Sequence, residues 1–308
     1  MSLPLPTTLS PSKVTAFKDC GLAFRLSAID RLPEPPSPAA TKGTLVHRAL
    51  ELLMFDHDPG HRSRAAAEAA LAAAVDEVLD AATVADLGLT RDEEAAGPAG
   101  TLEGFVADAR RLIDGYFALE DPDRVRVVGT ELMLSATVGG LHLRGIIDRL
   151  ELDGDGGLVV TDYKTGRAPG ATHEQARMIG VHFYALLCEA ALGVLPSRVQ
   201  LLHLREPVAI STVPSAHTIR GLRQQTTALW AAVTLACERE DFRPKPGRAC
   251  SWCAYHDYCP AVGGDLARIP PPALRRAPAA PSPGGHGATS PGVGQLASGP
   301  NAPVAVPA

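Results

Sequence analysis

With 308 residues, 45% hydrophobic and 20% charged, the chain is long enough to bury one large core or two modest ones. No stretch approaches the roughly 18 consecutive apolar residues of a membrane span, and Met1-Ser2-Leu3-Pro4-Leu5-Pro6 lacks the basic and apolar regions of a secretory signal. A cytoplasmic protein without a membrane partner is expected. The formal charge of −5 excludes little, because a basic groove can sit in an acidic surface, and six cysteines at this length read first as metal ligands, not as a disulfide scaffold.

Ser10-Pro11-Ser12 followed by Lys13-Val14-Thr15-Ala16-Phe17 predicts a capped helix with Pro11 at its first position, ending near Cys20-Gly21. A proline-rich connector, Pro33 to Pro38, leads to helices predicted over residues 41–55, 62–82 and 101–119. From Arg124 the texture changes. Strands are predicted over 126–134 and 141–152, joined by a hairpin turn at Gly139-Gly140, with a third over 158–163 after the turn at 153–157. A helix (173–192), a strand (199–204) and a helix (216–239) follow, giving an α/β core. Beyond Leu266 the chain is mostly Pro, Gly, Ala and Ser, too poor in apolar bulk to offset its ordering entropy, so a disordered tail is expected.

Chemistry concentrates on the predicted hairpin and the strand after it. Gly145-Ile146-Ile147-Asp148 lies on one strand and Thr161-Asp162-Tyr163-Lys164-Thr165-Gly166 ends the next. Residues two apart on a strand share a face, so Asp162 and Lys164 point the same way. Two carboxylates can hold Mg²⁺ or Mn²⁺, and a lysine beside them can orient or deprotonate a water. Taken alone, an Asp-x-Lys is more often a salt-bridged strand end.

The ordered set Gly-x-x-Asp then Asp-Tyr-Lys-Thr-Gly resembles the catalytic hairpin of RecB-family exonucleases, in the PD-(D/E)XK nuclease superfamily. The stretch Gly43-Thr44-Leu45-Val46-His47-Arg48-Ala49-Leu50-Glu51 is similar to the upstream helix whose histidine joins the metal ligands. The resemblance implies Asp148, Asp162 and Lys164 as catalytic residues, with His47, Asp148 and Asp162 on the metal. Glu131 sits where the family often has an acidic helper. Tyr184 matches the tyrosine of the Gln-x-x-x-Tyr motif that helps hold the DNA strand, and Arg177, two turns before it, would share the contact. Gly180 stands where that motif has glutamine, which departs from the pattern.

Cys250, Cys253 and Cys259 form a C-x₂-C-x₅-C triplet ending in Cys-Pro, with Cys20 remote from them. This arrangement resembles the [4Fe–4S] staple of AddB-type nucleases; four thiolates are what such a cluster requires, and Zn²⁺ is the chemical alternative. Gly21 follows the first cysteine where relatives often have proline. Cys188 and Cys237 fall on apolar helical faces and read as core residues.

The expected architecture is therefore α/β: a restriction-endonuclease-like core, with a mixed β-sheet flanked by helices, an N-terminal helical region and an iron–sulfur staple. Its parts would be residues 1–40 (first helix, linker and first cluster cysteine), 41–123 (helical region), 124–265 (nuclease core and cysteine triplet) and 266–308 (tail). The expected activity is metal-dependent hydrolysis of DNA, as an exonuclease on single strands or ends in repair or recombination. The alternatives are a catalytically weak DNA-binding relative and a CRISPR-adaptation-type nuclease of the same fold. No Gly-x-x-x-x-Gly-Lys-Ser/Thr occurs, so any helicase partner is a separate protein.

Overall fold

The computed structural model describes residues 2–90, 97, 100–168 and 171–271, with the backbone alone over 171–179. Most of the expected tail, residues 272–308, lies outside the described residues. Helices begin where the sequence supplies an oxygen to cap them. Ser10 caps α1 (Pro11–Asp19), which α2 (Gly21–Phe24) follows. Ser37 caps α3 (Pro38–Asp56), Ser63 caps α4 (Arg64–Val78), Asp80 caps α5 (Ala81–Asp86) and Thr101 caps α6 (Leu102–Leu119).

Five strands follow in one sheet, in the order β1 (Arg126–Val138), β2 (Leu141–Leu152), β3 (Leu158–Lys164), β4 (Arg198–His203) and β5 (Val208–Thr212). All neighbours are antiparallel except β3 and β4. Between those two runs α7 (Ala171–Leu192), the crossover that a parallel pair requires. Ser215 then caps α8 (Ala216–Arg239). The sequence reading contained no β5. This edge strand is short and half exposed, and it follows Pro207, so neither length nor alternation announces it.

The two faces of the sheet bury separate cores. Leu143, Ile147, Leu150, Val160 and Leu201 pack with α1, α7 and α8. Tyr163, Leu202 and Leu204 pack with α3, α4 and α6 on the other side.

Two irregularities shape the region where the predicted site residues fall. The β1–β2 hairpin shifts register between Val127 and Gly129 and then continues to its turn, where Gly139 and Gly140 take φ of +59° and +80°, left-handed values that favour glycine at both central positions. Pairing of β2 with β3 covers only Arg149–Leu152 against Leu158–Thr161. Past Arg149 the hairpin leaves the sheet, and Leu9 takes the vacated edge: its N–H donates to His142 O at 2.8 Å and its carbonyl accepts from Arg144 N at 2.9 Å. Asp148 therefore stands in a fork between β2 and β3.

The α6 helix can lie close to the sheet because Gly115 faces it. A Cβ at Gly115 would fall 1.9 Å from the Leu204 carbonyl oxygen, a backbone atom that cannot swing aside. Gly115→Ala should therefore destabilise the fold by on the order of 1–3 kcal/mol, despite alanine's better helix propensity. Urea denaturation checks this, and an unchanged or raised midpoint would contradict the close approach.

Candidate active site

The fork gathers groups from three elements around the backbone of one residue, Tyr163. Tyr163 N–H donates to Asp148 Oδ2 at 2.7 Å. The Tyr163 carbonyl lies 3.2 Å from His47 Nε2, on α3. Because a carbonyl can only accept, Nε2 carries a proton and Nδ1 is the nitrogen turned toward the carboxylates. His47 Nδ1 lies 3.5 Å from Asp148 Oδ2 and 3.7 Å from Glu131 Oε1. Ligand atoms of His47, Glu131 and Asp148 all lie within 4.8 Å of one another, a spacing that suits one cation.

Glu131 occupies the rung opposite Asp148, between Thr130↔Arg149 and Leu132↔Ile147. It holds a left-handed φ of +44°, which costs a residue with a side chain on the order of 1–3 kcal/mol. Acidic side chains facing each other on adjacent strands also repel. Both costs fall at the one place where a cation would be held.

The electrostatics agree. Burial pushes the Asp148 carboxyl up to about 7, and neighbouring Asp162 adds to the rise. Burial works against a charged His47 imidazole, yet Glu131, Asp148 and Asp162 together raise it to about 9. Both shifts draw on negative charge crowded at one point, the charge a cation would also answer.

Asp162 lies outside the set of three, although the sequence reading placed it on the metal with His47 and Asp148. Its carboxylate is paired with the Lys164 ammonium, and Asp162 Oδ2 is buried. Tyr184, on α7, faces the same cluster: burial and then Asp162, Asp148 and Glu131 raise its phenol well above the ordinary range. Gly145 makes the room, since a Cβ there would come within 3.0 Å of the Tyr184 ring and 2.9 Å of Leu187. Gly180 has no neighbour within 4 Å of where a Cβ would sit, so it does not serve a close packing contact. Arg177 is on α7, but its side chain lies outside the described residues.

The family profile of the PD-(D/E)XK nuclease superfamily matches residues 8–260. The chain belongs to that superfamily. No curated protein sequence matches it. Among solved structures it is similar to the "Putative exonuclease" from Eubacterium rectale, at 10% identity and a TM-score of 0.51 over 81% of this chain and 88% of that one, a likeness of fold alone. The structure of SSO0001 aligns at 15% identity over 55% of this chain and 77% of that one, with a TM-score of 0.32 that bears no weight.

Within this PD-(D/E)XK fold, the residue after Asp148 is the largest fully buried side chain. Arg149 donates to the Tyr163 hydroxyl at 2.9 Å, the Tyr116 hydroxyl at 3.2 Å and Glu120 Oε2 at 3.0 Å, and it is ion-paired with Glu151. Removing one partner from a buried pair of this kind costs on the order of 3–5 kcal/mol. The network holds the ring of Tyr163, whose backbone N–H and carbonyl order Asp148 and His47. The sequence reading missed Arg149. Its charged sequence neighbours Asp148 and Glu151 disguise its burial, and its partners Tyr116 on α6 and Glu120 just past that helix are 33 and 29 residues away.

The cysteines form a second cluster. Cys20, Cys250, Cys253 and Cys259 line one small cavity of about 30 Å³. Lys245 N–H donates to Cys20 Sγ and Gly247 N–H to Cys250 Sγ, each at 3.4 Å. Burial and then the other three sulfurs raise the Cys253 thiol, against a hydrogen bond from the Tyr255 backbone. Gly21 lets this segment approach, since a Cβ there would meet the Arg243 carbonyl at 3.2 Å. Cys188 and Cys237 are buried in the sheet–helix core.

A PD-(D/E)XK site of this make-up couples stability to protons and metal. Asp148 and His47 both bind protons more tightly folded than unfolded, so each favours the fold at low pH and loses that contribution as pH rises. The loss runs from the ordinary 3.8 to about 7 for Asp148 and from 6.5 to about 9 for His47. Without divalent metal the melting temperature should fall through this window, and saturating Mn²⁺ should offset the fall. Thermal melts in EDTA and in Mn²⁺ at several pH values test this; a Mn²⁺ increment that does not grow with pH would contradict it.

Proposed function

We propose that this chain is a metal-dependent deoxyribonuclease of RecB type, acting as an exonuclease on single strands or ends. The observation that carries the reading is the convergence of His47, Glu131 and Asp148 to within 4.8 Å, beside the Asp162–Lys164 pair, in a PD-(D/E)XK fold. His47, Glu131 and Asp148 fit a divalent cation as one nitrogen and two carboxylate donors, and Asp162 is close enough to couple to both Asp148 and His47. When bound, a Mg²⁺ or Mn²⁺ ion would supply charge neutralisation at the phosphate and a more acidic water. The residues do the positioning. His47 keeps Nδ1 toward the ion because its other nitrogen is held by the Tyr163 carbonyl. Lys164, anchored by Asp162, directs its ammonium to where a water or phosphate oxygen would lie. The "Putative exonuclease" of similar fold favours exonuclease behaviour.

The test is purified protein with end-labelled single- and double-stranded DNA in Mg²⁺, Mn²⁺ or EDTA. Asp148→Asn and Lys164→Ala should each lower the cleavage rate at least about a hundredfold, with folding checked by circular dichroism. If both variants cut at the wild-type rate, the site assignment is wrong.

The same reading places a [4Fe–4S] cluster on Cys20, Cys250, Cys253 and Cys259 as a structural staple. Four thiols around one cavity, two of them already accepting backbone N–H bonds, make a donor set suited to it. Protein purified anaerobically should carry about four irons per chain, and Cys20→Ser should lose iron and lower the melting temperature. Stoichiometric Zn²⁺ without iron would overturn the assignment. With no phosphate loop of its own, the chain would act in cytoplasmic DNA repair or recombination beside a separate helicase.

A further inference from the structure

The outward half of the β1–β2 hairpin has a face that neither core covers. Met133↔Ile146, Ser135↔Arg144 and Thr137↔His142 are directly paired, and all six side chains are exposed. These pairs continue at two-residue spacing from the rung that holds Glu131 and Asp148, so they form one row leading away from the acidic centre. With Thr8, the side chains of Met133, Ser135, Thr137, His142 and Arg144 line a shallow open groove, and Ile146 lies beside it, paired with Met133.

Cations gather at the groove's end without carboxylates to meet them. Lys13, on α1, is half-buried and its Nζ donates only to Thr8, to the carbonyl at 2.8 Å and the hydroxyl at 3.3 Å. Burial, then Arg31 and Arg144, lower its affinity for a proton. Lys13 thus lies within the electrostatic reach of both arginines. Neither Arg31 nor Arg144 has an ion pair or hydrogen-bonded carboxylate among the described residues, a state they share with other surface arginines such as Arg198 and Arg220. Arg31 also holds a left-handed φ of +54°, a conformation that disfavours a residue with a side chain. A row from the acidic centre past an exposed apolar pair to unneutralised cations has the charge pattern of a surface that carries a polyanion.

We propose that this hairpin groove is the path of the DNA strand to the metal centre. Arg144, Arg31 and Lys13 hold phosphates, and Met133 and Ile146 lie under the sugar or base between those phosphates and the cleavage site. The Arg144 rung is four residues from Asp148, roughly 13 Å along the strand, so the anchored phosphate lies a short way from the one cleaved. The proposal rests on the nuclease reading above and adds to it a substrate track on the face opposite α7.

The experiment separates the two. Arg144→Glu and Arg31→Gly are the variants; glycine suits the left-handed backbone at position 31, so that variant keeps the fold while removing the charge. Binding of a fluorescent single-stranded oligonucleotide in EDTA is followed by anisotropy across a salt series. Each variant should weaken binding at least about threefold, and the slope of log Kd against log salt should fall by about 0.7 per cation lost. Hydrolysis of bis(p-nitrophenyl) phosphate in Mn²⁺, too small to reach the groove, should be unchanged, while KM for the oligonucleotide rises. Unchanged affinity, salt slope and KM in both variants, with the small diester still cleaved, would overturn the track and leave the nuclease reading standing. If the wild-type chain cleaves neither compound, both readings fall.

Discussion

Arg149 carries a permanent charge into a position with no exposed surface, and the surrounding elements are arranged to meet it. Tyr116 comes from α6 and Glu120 from the residue that caps its end, Glu151 from β2 itself, and Thr161 and Tyr163 from β3. A guanidinium buried this deeply tolerates no missing oxygen, so helix, hairpin and central strand must all be in register before any of them is stable. Gly115 belongs to the same constraint, because it lets α6 approach closely enough for Tyr116 and Glu120 to reach. Such a network gains little net stability over an apolar core, but it admits few alternative packings.

What the network fixes most directly is Tyr163. Its ring lies against the guanidinium, and its backbone faces the fork. The N–H and carbonyl of one residue thereby set the distance between a carboxylate on β2 and an imidazole on α3. Rigid backbone is a better positioning device than a second layer of side chains, since it has no rotamers to lose. The fork supplies the opening: because β2 and β3 part after Arg149, Asp148 uses Tyr163 N–H as a side-chain partner where a sheet would have used a carbonyl.

Much of this was legible in the residues. The caps at Ser10 and Thr101, the glycine pair at 139–140 and the alternation of β2 are local signals, and they appear where local chemistry places them. Glu131 was recoverable too: counting outward from the two-residue turn pairs it with Asp148. Its backbone strain was not, because nothing in Gly129-Thr130-Glu131-Leu132 marks a left-handed residue. The preference of the cation-sized space for Glu131 over Asp162 also depends on where the hairpin leaves the sheet, a tertiary matter. Arg149 was hidden for the opposite reason. An arginine beside a catalytic-looking aspartate reads as solvent-facing, and only the distant partners Tyr116 and Glu120 show that it is buried.

The N-terminal segment lies against chain synthesised much later. Leu3 N–H bonds the Cys237 carbonyl, Leu22 N–H bonds the Arg243 carbonyl, and Lys245 N–H bonds the sulfur of Cys20. Each contact closes a loop of more than two hundred residues, whose closure entropy must be met before the contact returns anything. During synthesis these contacts of the N-terminal segment must therefore wait until residues 237–245 have been made. Leu9 is strung on the same segment, but its partners His142 and Arg144 come well before those residues in the chain. The segment thus has its sheet partner within reach at one stage of synthesis and its remaining partners only at a later one.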